Sequence, residues 1–203
     1  RQVDRQLRMF RWLAPDFGAM HPITATAPQE CSEITAHVFS SLRFDTTHYV
    51  PSYRAWLDAA GHREAYRFHR RFLQHLAARG ETRQRWVLKC PDHVFALDAI
   101  RETYPDSRFV FVHRDPMRVL ASVARLTEVL RQPFTRRLDR ATVGRQVCDR
   151  WAEGAARVVA ACNTLPQDRV IHIRYHELTG DPVGTVARLY SEFGLPFDPA
   201  FEQ

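Results

Sequence analysis

The chain has 203 residues, of which 45% are apolar and 26% charged, and its formal net charge at pH 7 is +6. These values are ordinary for a globular domain, and they exclude a disordered tail, a fibrous repeat and a small disulfide framework. The longest apolar run has five residues, 158–162, whereas a membrane-spanning helix needs roughly 20. We expect one domain over residues 1–203, incomplete at its start, because Arg1 already lies in a helical pattern.

The first 80 residues predict helices joined by loops. Apolar residues recur there at three- and four-residue spacings, which is typical of amphipathic helices. These helices span residues 2–14, 28–42, 51–60 and 62–79. A loop rich in Pro and Thr covers 15–27, and Gly80 is expected to end the fourth helix. That helix is basic but keeps its aromatic residues on the inner face, so we predict a solvated surface and no nucleic-acid site.

Short apolar runs in the second part of the chain predict three strands, at residues 85–89, 108–112 and 169–173. Helices follow them over 91–104, from 115 onward, over 140–163 and over 181–193. Asp92, Asp115 and Asp181 are the expected N-caps, each beside a proline. The alternation predicts a helix-rich α/β fold with a parallel sheet flanked by helices. Three strands are few for such a sheet, so we expect its first strand to lie upstream of Arg1.

Ligands of open α/β sheets bind beyond the carboxyl ends of the strands. The most informative such end is residues 109–123, where a strand is followed at once by Arg114 and, two helical turns later, by Ser122. A guanidinium fork suits phosphate oxygens, and a hydroxyl on the same face can share the anion. The alternative is that Arg114 pairs with Asp115 or caps a neighbouring helix and that Ser122 is a small packing residue.

Lys89 is the one lysine among 29 basic residues. Its compact ammonium can do work that a planar guanidinium cannot, and it ends a predicted strand. Glu30 and Glu33 are interpreted as ordinary surface carboxylates, and the alternative is that they border an acceptor pocket. The four cysteines form no Cys-x-x-Cys pair, which disfavours a structural zinc site. Reduced thiols in a cytoplasmic protein are the preferred interpretation.

Three segments resemble the sulfotransferases that use 3′-phosphoadenosine 5′-phosphosulfate (PAPS). Residues 86–93 are similar to a Lys-Ser-Pro-x-His element of a bacterial branch, with Cys90 in place of Ser. Residues 109–123 match the strand, Arg and Ser of the family's 3′-phosphate motif. Residues 173–182 resemble its Arg-Tyr-Glu-Asp-Leu-x-x-Asp-Pro element, with His176 in place of Glu. The resemblance runs over about residues 8–197.

The resemblance implies a P-loop-NTPase-like fold and a PAPS-dependent transfer of a sulfuryl group to a hydroxyl or amine acceptor, with no metal. It assigns the 3′-phosphate to Arg114 and Ser122 and places Tyr175 near the adenine. Lys89 is then expected to stabilise charge in the transition state. His93 is the candidate general base, and the alternative is that it orients a loop. The acceptor is a small molecule, lipid or carbohydrate, and it is not specified by the sequence.

The family's first cofactor motif, a Pro-Arg-Ser-Gly-Thr-Thr-like loop that cradles the 5′-phosphosulfate, has no counterpart in these 203 residues. We therefore expect the 203 residues alone to be inactive. One alternative is a catalytically inactive nucleotide-binding protein with the same fold. Another is a nucleotide kinase, although the chain has no Gly-x-x-x-x-Gly-Lys-Ser/Thr loop.

Overall fold

The computed structural model describes residues 2–78 and 85–198, which form helices around a two-stranded parallel sheet. The first part contains α1 (Gln2–Leu13), α2 (Phe17–Met20), α3 (Cys31–Ala36), α4 (Arg43–Thr47), α5 (Pro51–Ala60) and α6 (Arg63–Ala77). The second part contains α7 (Leu97–Thr103), β1 (Phe109–His113), α8 (Pro116–Arg131), α9 (Arg140–Cys162), β2 (Val170–Arg174), α10 (Tyr175–Gly180) and α11 (Pro182–Glu192). Short 3-10 turns cover Pro91–Phe95, Gln132–Phe134 and Gln167–Arg169.

The two strands pair in parallel, with Phe109 opposite Val170 and His113 opposite Arg174. Both therefore end at the same edge of the sheet, and α8 and α9 connect them. Aromatic and β-branched residues dominate both strands, as expected for a half-buried pleated surface. The predicted helix-rich α/β class, with a parallel sheet flanked by helices, is confirmed.

Aspartate side chains cap the N-termini of three helices, α8, α9 and α11. The Asp115 carboxylate accepts a hydrogen bond from the Met117 amide at 2.9 Å, and Asp181 accepts one from Gly184 at 2.9 Å. Asp139, at the start of α9, accepts from two amides in the same way. Each cap satisfies amides that have no partner within the helix, typically contributing about 1 kcal/mol. The N-caps predicted at Asp115 and Asp181 are confirmed.

The predicted strand at 85–89 is absent: residues 85–90 have no strand pairing in the described structure. Trp86 is 49% and Val87 86% exposed. A strand is stable only when its amides and carbonyls are paired, and the described residues place no neighbouring strand beside this segment. The Cys31 amide instead donates to the Lys89 carbonyl at 3.2 Å, which attaches the segment to the start of α3.

The helix predicted over 91–104 is divided into the Pro91–Phe95 turn and α7, with the break at Ala96. Asp92 does not cap that turn. Its carboxylate accepts hydrogen bonds from the Leu42 amide at 3.0 Å and the Ser41 hydroxyl at 3.3 Å. Asp92 thus caps α4, about 50 positions earlier in the chain, a partner that local sequence cannot indicate.

The helix predicted over 28–42 is also shorter than expected, since α3 covers only Cys31–Ala36. Phe39 follows it with a φ of 55°, which no α-helix accommodates. The predicted loop over 15–27 contains the short helix α2. Helix α5 has the predicted bounds, whereas the expected stop at Gly80 lies outside the described residues.

Two apolar clusters join the helices, and one of them also packs on the sheet. One joins α6 and α7 through Tyr66 and Ile100 and packs on Phe109 of β1. The other contains Leu57 and Phe95 and reaches Trp151 of α9. The Pro91–Phe95 turn contributes to the second cluster, so the backbone after Lys89 is anchored in the interior.

None of the described helices is both long and apolar enough to cross a membrane. All four cysteines belong to the described residues and are free thiols. Within residues 2–78 and 85–198, no three His, Cys, Asp or Glu side chains are grouped closely enough to hold a metal ion.

Candidate functional site

The carboxyl ends of β1 and β2 bring Arg114 and Tyr175 together. Each is the first residue after its strand, and the residues before them, His113 and Arg174, are opposite each other in the sheet. The guanidinium carbon of Arg114 lies 4.5 Å from the centroid of the Tyr175 ring, a cation–π contact. Both side chains are exposed at this edge. The structure therefore joins two residues that the sequence analysis placed in one site from separate motifs.

Asp115 is not the partner of Arg114. Its carboxylate caps α8 and lies 3.9 Å from the Arg118 guanidinium. Within the described part of the chain, no carboxylate is within ion-pair distance of Arg114. A guanidinium has five N–H donors. Those of Arg114 are consequently available to an anion.

Ser122 is exposed on α8, seven residues after the Asp115 cap. Seven residues of helix rise roughly 10 Å, about two turns, so Ser122 is on the same side of the helix as its start. Among the described contacts, its hydroxyl has no hydrogen-bond partner. The structure leaves Ser122 free on the helix that begins beside Arg114, without a direct contact between the two side chains.

The ammonium group of Lys89 forms an ion pair with the Glu30 carboxylate. The backbone bond from Cys31 to Lys89 sets this geometry, because it fixes the residue after Glu30 against the end of the 85–89 segment. The Lys89 side chain is 72% exposed, and that of Glu30 is 24% exposed. His21 Nε2 lies 3.8 Å from the same carboxylate oxygen. Lys89 thus presents its charge to solvent with an acidic group beside it.

His93 is turned toward the interior. Its Nε2 atom is buried and has no hydrogen-bond partner among the described residues. Burial, with smaller contributions from the nearby His69 and Lys89, lowers the pKa of His93 to about 4. The imidazole is therefore neutral at pH 7 and faces the Tyr66 ring, whose centroid is 6.0 Å away. Among the described contacts, the Lys89 ammonium bonds to Glu30 and shares no hydrogen bond with the His93 ring.

A second buried histidine lies beside the first. His69 on α6 is fully buried, and its Nδ1 atom lies 2.6 Å from the Tyr104 hydroxyl. Burial lowers its pKa to about 4. Its Nε2 is also buried without a partner in the described structure. The two imidazoles and the rings of Tyr66 and Tyr104 form a buried cluster beneath the Lys89–His93 segment.

Two cavities are associated with the helical layer. One of about 340 Å³ lies between α3, α6 and the 85–89 segment, and Lys89 and Glu30 belong to its lining. The other, of about 620 Å³, lies beside the α5–α6 turn and α9. None of Lys89, His93, Arg114, Ser122 and Tyr175 lines the larger cavity. The smaller one is therefore the cavity that adjoins the candidate site.

The sequence model of the Sulfotransferase family matches residues 1–199, almost the entire chain. The chain belongs to the sulfotransferase family. This finding agrees with the resemblance of residues 86–93, 109–123 and 173–182.

Solved sulfotransferases have the same fold. Sulfotransferase STF1 from Mycobacterium tuberculosis H37Rv superposes with a TM-score of 0.79 at 33% identity, over 93% of this chain and 54% of that one. Sulfotransferase STF9 from Mycobacterium avium gives a TM-score of 0.78 at 24% identity, over 93% and 52%, a likeness that shows the fold alone. The chain thus spans about half the length of these solved proteins. The P-loop-like fold expected from the sequence is confirmed.

A curated relative is similar over a shorter stretch. It is the omega-hydroxy-beta-dihydromenaquinone-9 sulfotransferase Stf3 of Mycobacterium tuberculosis and Mycobacterium bovis. The identity is 30% over 131 residues, which is 62% of this chain and 32% of the relative.

Two features of the chain depend on partners that its sequence does not indicate. Glu30, interpreted from the sequence as an ordinary surface carboxylate, pairs with Lys89 across 59 positions. The Nδ1 atom of His69 contacts the Tyr104 hydroxyl, 35 positions away. A glutamate at the start of a short helix and a histidine in an amphipathic helix carry no local signal for such partners.

Proposed function

We propose that this sulfotransferase uses PAPS as its sulfuryl donor and that Arg114, Ser122 and Tyr175 bind the 3′-phosphoadenosine part. The observation that carries the proposal is the stack of Arg114 on Tyr175 at the shared carboxyl edge of β1 and β2. It combines the two chemistries that such a nucleotide requires, a fork of donors for phosphate and an aromatic face for adenine. It also lies where open α/β sheets bind their ligands.

The described residues fit the 3′-phosphate. Arg114 has no carboxylate partner among them, and Ser122 offers a hydroxyl farther along the same helix. Asp115, which would repel an anion, accepts a hydrogen bond from the Met117 amide of α8 and lies near the Arg118 guanidinium. The net charge of +6 favours the approach of a polyanionic nucleotide.

Bound PAPS supplies a sulfuryl group whose sulfur–oxygen bond to the nucleotide breaks as a bond to the acceptor oxygen or nitrogen forms. The chain's own residues must then stabilise developing negative charge and accept the acceptor's proton. Lys89 suits the first task, since its ammonium is exposed and can donate three hydrogen bonds.

The proton acceptor has two candidates close to Lys89. His93 is the base expected from the sequence, and it is neutral at pH 7, as a base must be. Glu30 is a second candidate, because its carboxylate contacts the Lys89 ammonium and lines the adjoining cavity. The geometry favours Glu30, since the Nε2 atom of His93 is buried.

Transfer requires a group that holds the 5′-phosphosulfate, and the sequence contains no Pro-Arg-Ser-Gly-Thr-like segment. We therefore assign the activity to a protein in which such a loop accompanies residues 1–203. Residues 1–203 alone are expected to bind adenosine 3′,5′-bisphosphate and to transfer no sulfuryl group.

The test compares two donors in the loop-containing protein, PAPS and adenosine 5′-phosphosulfate, which lacks the 3′-phosphate. Sulfate ester formed on decan-1-ol is measured by mass spectrometry. We expect product from PAPS and at least about tenfold less from the shorter donor at equal subsaturating concentration. Equal yields would remove the 3′-phosphate from the proposal. Nucleotide binding without product from any alcohol or amine would identify a catalytically inactive nucleotide-binding protein.

A further inference from the structure

The cavity of about 340 Å³ beside Lys89 is an apolar groove with one charged end. Its apolar lining includes Ile34, Phe72, Leu73, Leu76, Trp86 and Val87. The volume is within the range of small-molecule sites, roughly 300–1,000 Å³. Lys89 and Glu30 belong to the same lining, so the apolar walls continue to the ion pair.

Much of this apolar lining is accessible to solvent. Leu76 on α6 is 47% exposed, and Trp86, on the facing segment, is 49% exposed. Exposed apolar surfaces of this kind mark ligand-binding grooves or contacts with a partner. Water can leave this surface only when another apolar group covers it.

The polar groups at the border of the groove already have partners. Glu33 forms an ion pair with Arg43. His37 Nδ1 lies 2.8 Å from the Glu33 carbonyl oxygen, and its ring lies against Phe72 with centroids 5.6 Å apart. These groups are poorly placed to replace the hydration of a carbohydrate acceptor. The uncommitted surface of the groove is apolar.

We propose that the groove binds the hydrocarbon part of the acceptor and that the acceptor is a long-chain, lipid-like alcohol. Its hydroxyl lies at the Lys89–Glu30 end while its chain extends between α3 and α6 toward Leu76. A hydroxyl suits this end better than an amine, because an amine is protonated at neutral pH and an ammonium has no lone pair with which to attack sulfur. This inference rests on the proposed transferase function and specifies its acceptor class.

Trp86 permits a test that needs no donor and no turnover. The probe is decan-1-ol carrying bromine in the middle of its chain, which quenches tryptophan emission on contact. Titrated into the full chain, it should quench part of the emission saturably, and Trp86→Phe should abolish that part. The exposed Trp12, at 81% exposure on α1, reports any non-specific quenching in both proteins. Identical quenching curves for wild type and Trp86→Phe would overturn the groove.

A surface variant and a chain-length series sharpen the test. Leu76→Gln removes an exposed apolar group of the groove and should weaken binding of the brominated alcohol about fivefold. Val159→Gln, at a 65% exposed apolar residue of α9 outside the groove, should leave binding unchanged. In competition with unbrominated alcohols, each added methylene should tighten binding about two- to fourfold while it still enters the groove. Affinity independent of chain length would reject the proposal.

The groove and the transferase function can fail separately. If the probe occupies the groove but the loop-containing protein sulfonates no acceptor, the transferase proposal fails. If that protein sulfonates polar and apolar alcohols equally well and the probe does not quench Trp86, the acceptor class is wrong and the transferase function stands.

Discussion

The guanidinium carbon of Arg114 lies 4.5 Å from the centroid of the Tyr175 ring, although the two residues are 61 positions apart. Parallel pairing of β1 and β2 produces this contact, since each residue directly follows its strand. The aromatic face restrains the plane of the guanidinium and leaves its N–H edge open. An exposed stack of this kind contributes about 0.5–1 kcal/mol, so its main effect is to orient the side chain.

Arg114→Ala tests the assignment of the 3′-phosphate. A charge-assisted hydrogen bond contributes roughly 1.5–3 kcal/mol, so the variant should bind adenosine 3′,5′-bisphosphate about tenfold to a hundredfold more weakly. Binding of adenosine 5′-monophosphate, which has no 3′-phosphate, should hardly change. Ser122→Ala should show the same pattern with a smaller loss. Isothermal titration calorimetry of both nucleotides measures the difference.

Arg145→Ala is the matched control, because Arg145 is an exposed arginine of α9 near Asp139. It should leave both affinities unchanged. Equal losses for the two nucleotides in Arg114→Ala, together with a lower melting temperature, would mean that Arg114 only stabilises the fold.

Two substitutions distinguish the effect of the charge of Lys89 from that of its shape. Lys89→Arg keeps the charge and Lys89→Ala removes it, and both should lower kcat much more than they weaken donor binding. The side chain is largely exposed, so neither variant should change the melting temperature by more than about 2 °C. Steady-state kinetics in the loop-containing protein provide the test. A Lys89→Ala variant with unchanged kcat would exclude a role in the transition state.

Substitution of Glu30 and of His93 distinguishes the two candidates for the proton acceptor. If Glu30 accepts the acceptor's proton, Glu30→Gln should lower kcat by about a hundredfold or more. His93→Gln should lower kcat far less and mainly affect stability, because the ring is part of the interior. Glu33→Gln, which removes a neighbouring ion-paired carboxylate, is the control for loss of charge. The reverse pattern, a large kcat loss in His93→Gln alone, would restore His93 as the base.

Local signals predicted much of this fold. Helix starts of the Asp-Pro type depend only on neighbouring residues, and those predicted at Asp115 and Asp181 are observed. The predicted helix at Pro51–Ala60 is observed with the same bounds. The parallel sheet follows from the alternation of strands and helices. Arg114 and Tyr175 meet because the carboxyl ends of parallel strands share an edge.

The remaining features depend on distant partners. Residues 85–89 have the composition of a strand, but a strand also needs a neighbour with which to pair. The partners of Lys89 and Asp92 are also distant in sequence. Lys89 pairs with Glu30, and Asp92 accepts a hydrogen bond from the Leu42 amide. Such contacts become visible only when the helices are packed, so the sequence indicated Lys89 without its partner.

Asp92 offers a test of long-range helix capping. Asp92→Ala leaves the Leu42 amide and the Ser41 hydroxyl without their acceptor and should lower the free energy of unfolding by about 1–3 kcal/mol. Asp92→Asn retains an acceptor oxygen and should cost less. Urea denaturation of the three proteins at pH 7 gives both values. Equal stability of Asp92→Ala and wild type would show that the cap is energetically silent.

The same carboxyl group makes a pH-dependent prediction. Burial raises the pKa of Asp92 to about 6 from its ordinary value of 3.8. Between these values the folded chain binds a proton that the unfolded chain does not. Wild type should therefore gain stability relative to Asp92→Asn as the pH falls from 6 toward 4, by on the order of 2 kcal/mol. A difference between the two proteins that is independent of pH would contradict the raised pKa.

The two buried imidazoles act in the opposite direction. Burial lowers the pKa of His69 and of His93 to about 4, whereas an unfolded histidine titrates near 6.5. Between pH 6.5 and 4 these two histidines bind protons in the unfolded chain but not in the folded chain. Their contribution therefore lowers the free energy of unfolding as the pH falls. Each histidine contributes up to about 3 kcal/mol of this loss.

His93→Gln removes one titrating group, so its unfolding free energy should depend on pH less steeply than that of wild type over this interval. His75→Gln, an exposed position on the same helix as His69, should leave the profile unchanged. Urea denaturation at half-unit pH steps from 7.5 to 4.5, performed on all three proteins, measures the slopes directly. Because Asp92 is present in each protein, its opposing titration cancels in the comparison. Parallel profiles for wild type and His93→Gln would show that the pKa of His93 is the same in the folded and unfolded chains and would contradict its burial as a neutral group.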